Sequence, residues 1–128
     1  MTESTITGTV DSYYAALSAR DVEAVSGLFA PHAMAHLPVG APPLEDAAAL
    51  RAWYEGVLGL FIDLSFEPQS VFPAGPAAAV KWLAEGRDDR GGAVTFEGID
   101  VLEFDAEGRI EVLMGFWDPA AMIEDLRT

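Results

Sequence analysis

Apolar positions follow two different periods along this chain, helical over the first sixty or so residues and alternating after that. Ile6, Val10, Tyr13, Tyr14 and Leu17 recur at helical spacing and predict an amphipathic helix from about Thr5 to Ala19. In "ARDVEAVSGLFA" a second helix restarts: Asp21 suits the N-cap, Val22, Val25, Leu28 and Phe29 form the inner stripe, and Pro31 ends it. "AMAHLPVG", broken by Pro38 and Gly40, reads as a short extended piece, and "GAPP" as a loop. A third helix is expected in "LEDAAALRAWYEGVLGLF", with Glu45 and Asp46 at its start, Leu50, Trp53, Tyr54, Val57 and Leu58 on one face, and an end near Gly59.

Beyond Ile62, "DLSFEPQSVF", "AAAVKWLAEG", "GAVTFEGIDVLEF" and "RIEVLMGFW" read as strands. The short connections "PAGP", "GRDDRGG" and "DAEG" suit antiparallel hairpins, so a meander is the simplest topology. "WDPAAMIEDL" predicts a closing helix with Asp118 as N-cap and Pro119 at its first position. Helices first and strands after define an α+β class in which helices cover one face of a sheet.

Composition narrows the function classes. With 128 residues, 51% of them hydrophobic, and no second compositional block, residues 1–128 are expected to form one domain able to line a pocket. Against 21 acidic residues stand only 7 Lys and Arg, a formal net charge of -14, which disfavours binding to nucleic acid and to anionic membranes. The absence of cysteine removes disulfides, thiolate metal sites and cysteine nucleophiles. No apolar run reaches spanning length and the N-terminus lacks a signal-peptide pattern, so a cytoplasmic location is the expectation.

The candidate chemistry begins in "FEGIDVLEF". On a strand, Phe96, Gly98, Asp100, Leu102 and Phe104 share one face, apolar except for a carboxylic acid at its centre. An acid there either finds a cation or stays protonated, because desolvation disfavours its charged form. Lys81, the chain's one lysine, falls on the face opposite Val80, Trp82 and Ala84. A neutral Asp100 would donate a hydrogen bond to a carbonyl oxygen as that oxygen gains charge; the alternative is a wet acid at the sheet rim. Tyr13 is either a core aromatic or a second donor beside Asp100. Trp117 shares the parity of Leu113 and Gly115, and Gly115 leaves a hollow in that face. His32 and His36 have no third ligand at fixed spacing, so no metal site is expected.

"YYAALSARDVEAVSGLFA", "LPVG" and "GIDVLEFDAEGRIEVLMGFW" together resemble bacterial steroid Δ5-3-ketoisomerases, and the likeness runs through nearly the whole chain. The resemblance implies the cone-shaped α+β fold shared with nuclear transport factor 2 and the SnoaL-like polyketide enzymes. There a curved, mostly antiparallel sheet is covered on its concave side by three N-terminal helices, with a short C-terminal helix. It implies a tyrosine and a protonated aspartic acid holding the substrate oxygen, here Tyr13 and Asp100, an arrangement for which ketosteroid isomerase is the known case. The expected pocket wall includes Leu37, Trp82, Leu102, Leu113, Gly115 and Trp117, of which the resemblance makes Trp117 the surface against which a flat apolar substrate stacks; the resemblance also implies a homodimer, no cofactor is expected, and the expected ligand is small and apolar, of steroid, polyketide or terpenoid type.

One position departs from the family. Its proton-shuttling aspartate precedes the P-x-G turn, and this chain carries Leu37 there, in "AHLPVG". Loss of a general base costs about two to four decades of rate. His36 is apt as a replacement base, but a regular strand points it away from the face of Leu37 unless a bulge near Pro38 turns it inward. Three readings follow from the sequence: an isomerase-like enzyme polarising an enone, a SnoaL-like tailoring enzyme opening epoxides or closing rings, or a binder of lipophilic ligands.

Overall fold

The computed structural model describes residues 2–127, ordered as α1 (Glu3–Ser18), α2 (Val22–Ser26), β1 (Phe29–His36), α3 (Ala47–Leu58), β2 (Asp63–Ala74), β3 (Ala77–Arg87), β4 (Ala93–Phe104), β5 (Ile110–Phe116) and α4 (Pro119–Arg127). The helices start where side chains can accept from free backbone N–H groups: Thr2, Asp21 and Asp46 cap α1, α2 and α3. Asp118 Oδ1 accepts from Ala121 N at 3.0 Å and starts α4 in the same way.

Five strands form one mixed sheet in the order β1-β5-β4-β3-β2. β2 to β5 are the expected antiparallel meander, and β1 adds parallel to β5. Prolines sit on the two edge strands, Pro31 on β1 and Pro68 and Pro73 on β2, where a missing N–H breaks no central ladder. At the hairpins, Gly75, Gly91 and Gly108 take φ of 56°, 82° and 82°, the left-handed region open to glycine.

The second helix departs from expectation. It ends at Ser26, and by Phe29 the chain already pairs with Ile110 of β5; Leu28 O accepts from Ile110 N at 2.8 Å. Pro31 therefore lies inside a strand rather than ending a helix. The apolar positions Val25, Leu28 and Phe29 serve both elements, which period alone cannot separate.

Side chains on the inner sheet face pack against the helices. Val80, Trp82, Ala84, Leu102 and Leu113 are buried with Ile6, Val10, Tyr13, Tyr14, Leu50, Tyr54 and Leu58. After β1 the chain crosses a cis Leu37–Pro38 bond and doubles back, with Ala35 and Leu44 exchanging backbone hydrogen bonds of 2.9 and 2.8 Å and Val39 N donating to Gly115 O at 2.9 Å. That tether sets Leu37 beside Gly115 on the inner face. No helix among the described residues is long and apolar enough to cross a membrane.

Candidate active site

Asp100 sits in the middle of β4, paired with Val80 on β3 and Gly115 on β5. Strand parity turns its carboxyl inward, and at 5% exposure it is the one charged residue in the core among the described residues. Lys81 points to the outer face and pairs with Glu97 at 3.2 Å.

The carboxyl has a phenol partner instead. Tyr14 Oη donates to Asp100 Oδ2 at 2.6 Å in a buried contact. Tyr13 Oη is bonded to Tyr54 Oη at 2.7 Å, not to Asp100. Tyr13 and Tyr14 are successive residues whose rings meet edge to face at 5.1 Å. The Oδ1 atom of Asp100 lies over Gly115; a Cβ built on that glycine would come 3.3 Å from Oδ1, 3.2 Å from Leu37 Cδ2 and 2.8 Å from Trp117 Cζ3. The hollow left by Gly115 is thus filled by the Trp117 ring and bordered by Leu37 and the free carboxyl oxygen.

These groups face a small cavity of about 40 Å³, lined among others by Tyr13, Leu37, Trp53, Tyr54, Asp100 and Trp117. Trp82, Phe66, Phe96 and, from α4, Met122 complete the apolar wall. The rings interlock: Trp117 lies 5.9 Å from Trp53 and 6.1 Å from Trp82, both edge to face. A space of 40 Å³ holds little more than a water molecule.

Burial dominates the electrostatics. Desolvation pushes the Asp100 pKa up from 3.8 to about 6, against the opposing pull of the Tyr14 hydrogen bond and the nearby Trp82 indole. The Trp82 N–H approaches the carboxyl without meeting hydrogen-bond geometry, and both its Nε1 and that of Trp117 are buried with no acceptor among the described residues. Desolvation first, and the carboxylate second for Tyr14 and third for Tyr13 after Tyr54, raise the Tyr13 and Tyr14 phenols well above their ordinary value. Burial likewise raises Tyr54. All three phenols remain protonated donors. The Tyr13–Tyr54 pair holds two hydroxyl protons and uses one between them, which leaves one to offer to a ligand.

The structure brings Tyr13, Asp100, Leu37, Trp82 and Trp117 to one cavity. Leu102 and Leu113 are fully buried core beneath it rather than wall, and Gly115 acts as the seat of the Trp117 ring. His36 pairs in register with Met114 and does not line the cavity, as regular strand parity requires. His32 is an exposed position of β1. Sequence reasoning missed Tyr14 and Tyr54 as polar members of the site, although both lie in helical stripes expected to be buried. No cluster of three or more His, Cys, Asp or Glu among the described residues is placed to hold a metal ion.

The inner face of the five-stranded sheet and the helices packed on it thus enclose one buried acid and a phenol pair. The chain belongs to the SnoaL-like domain family, whose model matches residues 10–113. It is 27% identical over 114 residues to the steroid Δ-isomerase of Nocardioides simplex, a match covering 89% of this chain and 90% of that protein. Among solved structures it resembles SalBIII, an epoxide hydrolase/cyclase-like enzyme described in pyran ring formation in polyether salinomycin. That likeness has a TM-score of 0.82 and 25% identity over 92% of this chain and 94% of the other. An NTF2-like protein of unknown function from Exiguobacterium sp. 255-15 shares the fold, with TM-score 0.73 and 21% identity over 87% and 98% of the two chains.

Proposed function

We propose that this protein is an enzyme that activates an oxygen atom of a small apolar substrate by proton donation from Asp100, with the spare hydroxyl of the Tyr13–Tyr54 pair as a second donor. The observation that carries this reading is the carboxyl itself: buried, held by Tyr14 through one oxygen, open to the cavity through the other, and brought to a pKa of about 6. A group with that pKa exchanges its proton readily near neutral pH.

Among the described residues, Asp100 is the only carboxylate or histidine lining the cavity. With Leu37 in place of the family's base and His36 outside the cavity, a reaction that moves a proton between two substrate carbons lacks its second group. Epoxide opening or ring closure needs one acid. The Oδ1–H proton passes to the epoxide oxygen as the C–O bond breaks, a substrate hydroxyl or water attacks the carbon, and the attacking group's proton returns to the Asp100 carboxylate. The buried, unpaired indole N–H groups of Trp82 and Trp117 suit a substrate bearing several acceptor oxygens.

A second reading is isomerisation of a β,γ-enone, favoured by the 27% identity to a steroid Δ-isomerase. The two are separated by assaying an epoxy-alcohol panel and a Δ5-3-keto compound with the wild type, Asp100→Asn and Leu37→Asp. Epoxide opening by the wild type that Asp100→Asn abolishes, with enone isomerisation appearing only in Leu37→Asp, is the expected result. Wild-type isomerisation without epoxide opening would move the second reading ahead, and activity unchanged in Asp100→Asn would end both.

The expected homodimer is proposed on the outer sheet face. Ile99 and Phe116 face each other across β4 and β5, 45% and 46% exposed, and Val101 and Met114 continue the apolar strip. In a chain of net charge -14, an acid-poor strip on the sheet is where two copies can meet with least repulsion.

A further inference from the structure

Tyr14 lies behind the site rather than in it. Its hydroxyl meets Asp100 Oδ2 at 2.6 Å, its side chain is buried, and it does not line the cavity. The ring is fixed by Tyr13 at 5.1 Å and Phe66 at 6.4 Å, so the hydroxyl has little freedom to seek another acceptor.

We propose that Tyr14 is the positioning residue of this site: by occupying Oδ2 it turns Oδ1 into the single proton-exchanging atom presented to the substrate and stabilises the carboxylate left after proton transfer. This deepens the reading of Asp100 as a proton donor and rests on it.

The physical case is an opposition of two effects. Burial of Asp100 disfavours its charged form, and an acid too reluctant to ionise gives up its proton poorly. A short phenol–carboxylate hydrogen bond is charge-assisted and strengthens when the acid ionises, so it offsets part of the burial effect. Other charged or titratable groups cannot substitute. From α1 and α3 only Tyr13, Tyr14 and Tyr54 face the carboxyl, and all three stay neutral. From β3 the neighbour is the neutral Trp82, from β5 Gly115, and beyond β1 Leu37. Lys81 and Glu97 pair with each other on the far side of the sheet. Tyr14 is therefore the main lever on the proton affinity of Oδ1.

The test titrates the Asp100 carboxyl by ¹³C NMR in the full-length, ligand-free protein labelled at aspartate, with Asp100→Asn to assign the signal. Tyr14→Phe keeps the ring and removes only the donor; the midpoint is expected to rise by about one to two pH units. Replacing Tyr14 with 3-fluorotyrosine, a nearly isosteric and more acidic phenol, is expected to lower the midpoint, and it covers the case in which Tyr14→Phe does not fold. A residue that merely fills space would change the melting temperature and leave the midpoint where it was, and an unmoved midpoint in both variants overturns the proposal. Turnover by the same variants separates the two layers. Shifted midpoints with activity insensitive to Asp100→Asn leave Tyr14 a positioning residue of a group that is not the acid, whereas unshifted midpoints with activity lost in Asp100→Asn keep the acid and refute its positioning by Tyr14.

Discussion

At the scale of single residues, the site turns on which of two adjacent tyrosines holds the acid. The residues alone left Tyr13 either a core aromatic or a second donor beside Asp100, and the family resemblance chose the donor. That much is legible, and the two do line one cavity. Successive helical residues point only about 100° apart, so Tyr13 and Tyr14 both reach the core, and period does not say which hydroxyl arrives at the carboxyl. Only the packing of α1 across the sheet decides it, giving Tyr14 to Asp100 and Tyr13 to Tyr54. The same acid makes a prediction about stability. Its pKa is raised in the folded state from 3.8 to about 6, so the native protein binds this proton more tightly than the unfolded chain. The contribution is fully present below about pH 4 and is lost as pH climbs through about 6, a change of order 3 kcal/mol. Asp100→Asn removes the titration. Denaturant unfolding of the two proteins between pH 4 and 7 should therefore show their stability difference shifting in favour of the variant as pH rises; parallel pH profiles would mean that the carboxyl titrates normally.

At the scale of elements, the alternation in "FEGIDVLEF" fixed which face Asp100 occupies, and the structure agrees strand by strand from β2 to β5. What the pattern did not carry was the fate of the segment after Val25. Partnership with β5, distant in sequence, draws Phe29 out of a helical stripe and into β1. The parallel β1–β5 pairing is likewise a product of tertiary assembly, because no local signal marks it. The β4–β5 ladder also shows where the site tolerates no added atoms. A Cβ on Gly98 would fall 2.6 Å from both Phe116 O and Trp82 Cζ2, and the first of these is backbone that cannot swing aside. Gly98→Ala is expected to cost about 1–3 kcal/mol in chemical denaturation, the usual range for overpacking. Gly115→Ala meets side chains instead, at 2.8 Å from Trp117 and 3.2 Å from Leu37. Its main effect should be displacement of the Trp117 ring, seen as a change in tryptophan fluorescence and in ligand affinity, with a smaller loss of stability than Gly98→Ala.

At the scale of the whole molecule, a cone of helices on a sheet buries one acid on its inside and leaves an apolar strip outside. The two faces have separable tests. Ile99→Lys on the outer face should convert a dimer to a monomer in sedimentation at micromolar concentration while the cavity side of β4 is left in place; a wild type that sediments as a monomer contradicts the pairing. On the inner face, a cavity of about 40 Å³ lies against three interlocked tryptophans. Proton transfer from Asp100 to a substrate oxygen is read out by single-turnover opening of an epoxy-alcohol between pH 5 and 8. The rate is expected to fall as pH rises through about 6 in the wild type and to drop by about two to four decades, without that pH dependence, in Asp100→Asn; equal rates and equal pH profiles for the two proteins would rule out Asp100 as the proton donor.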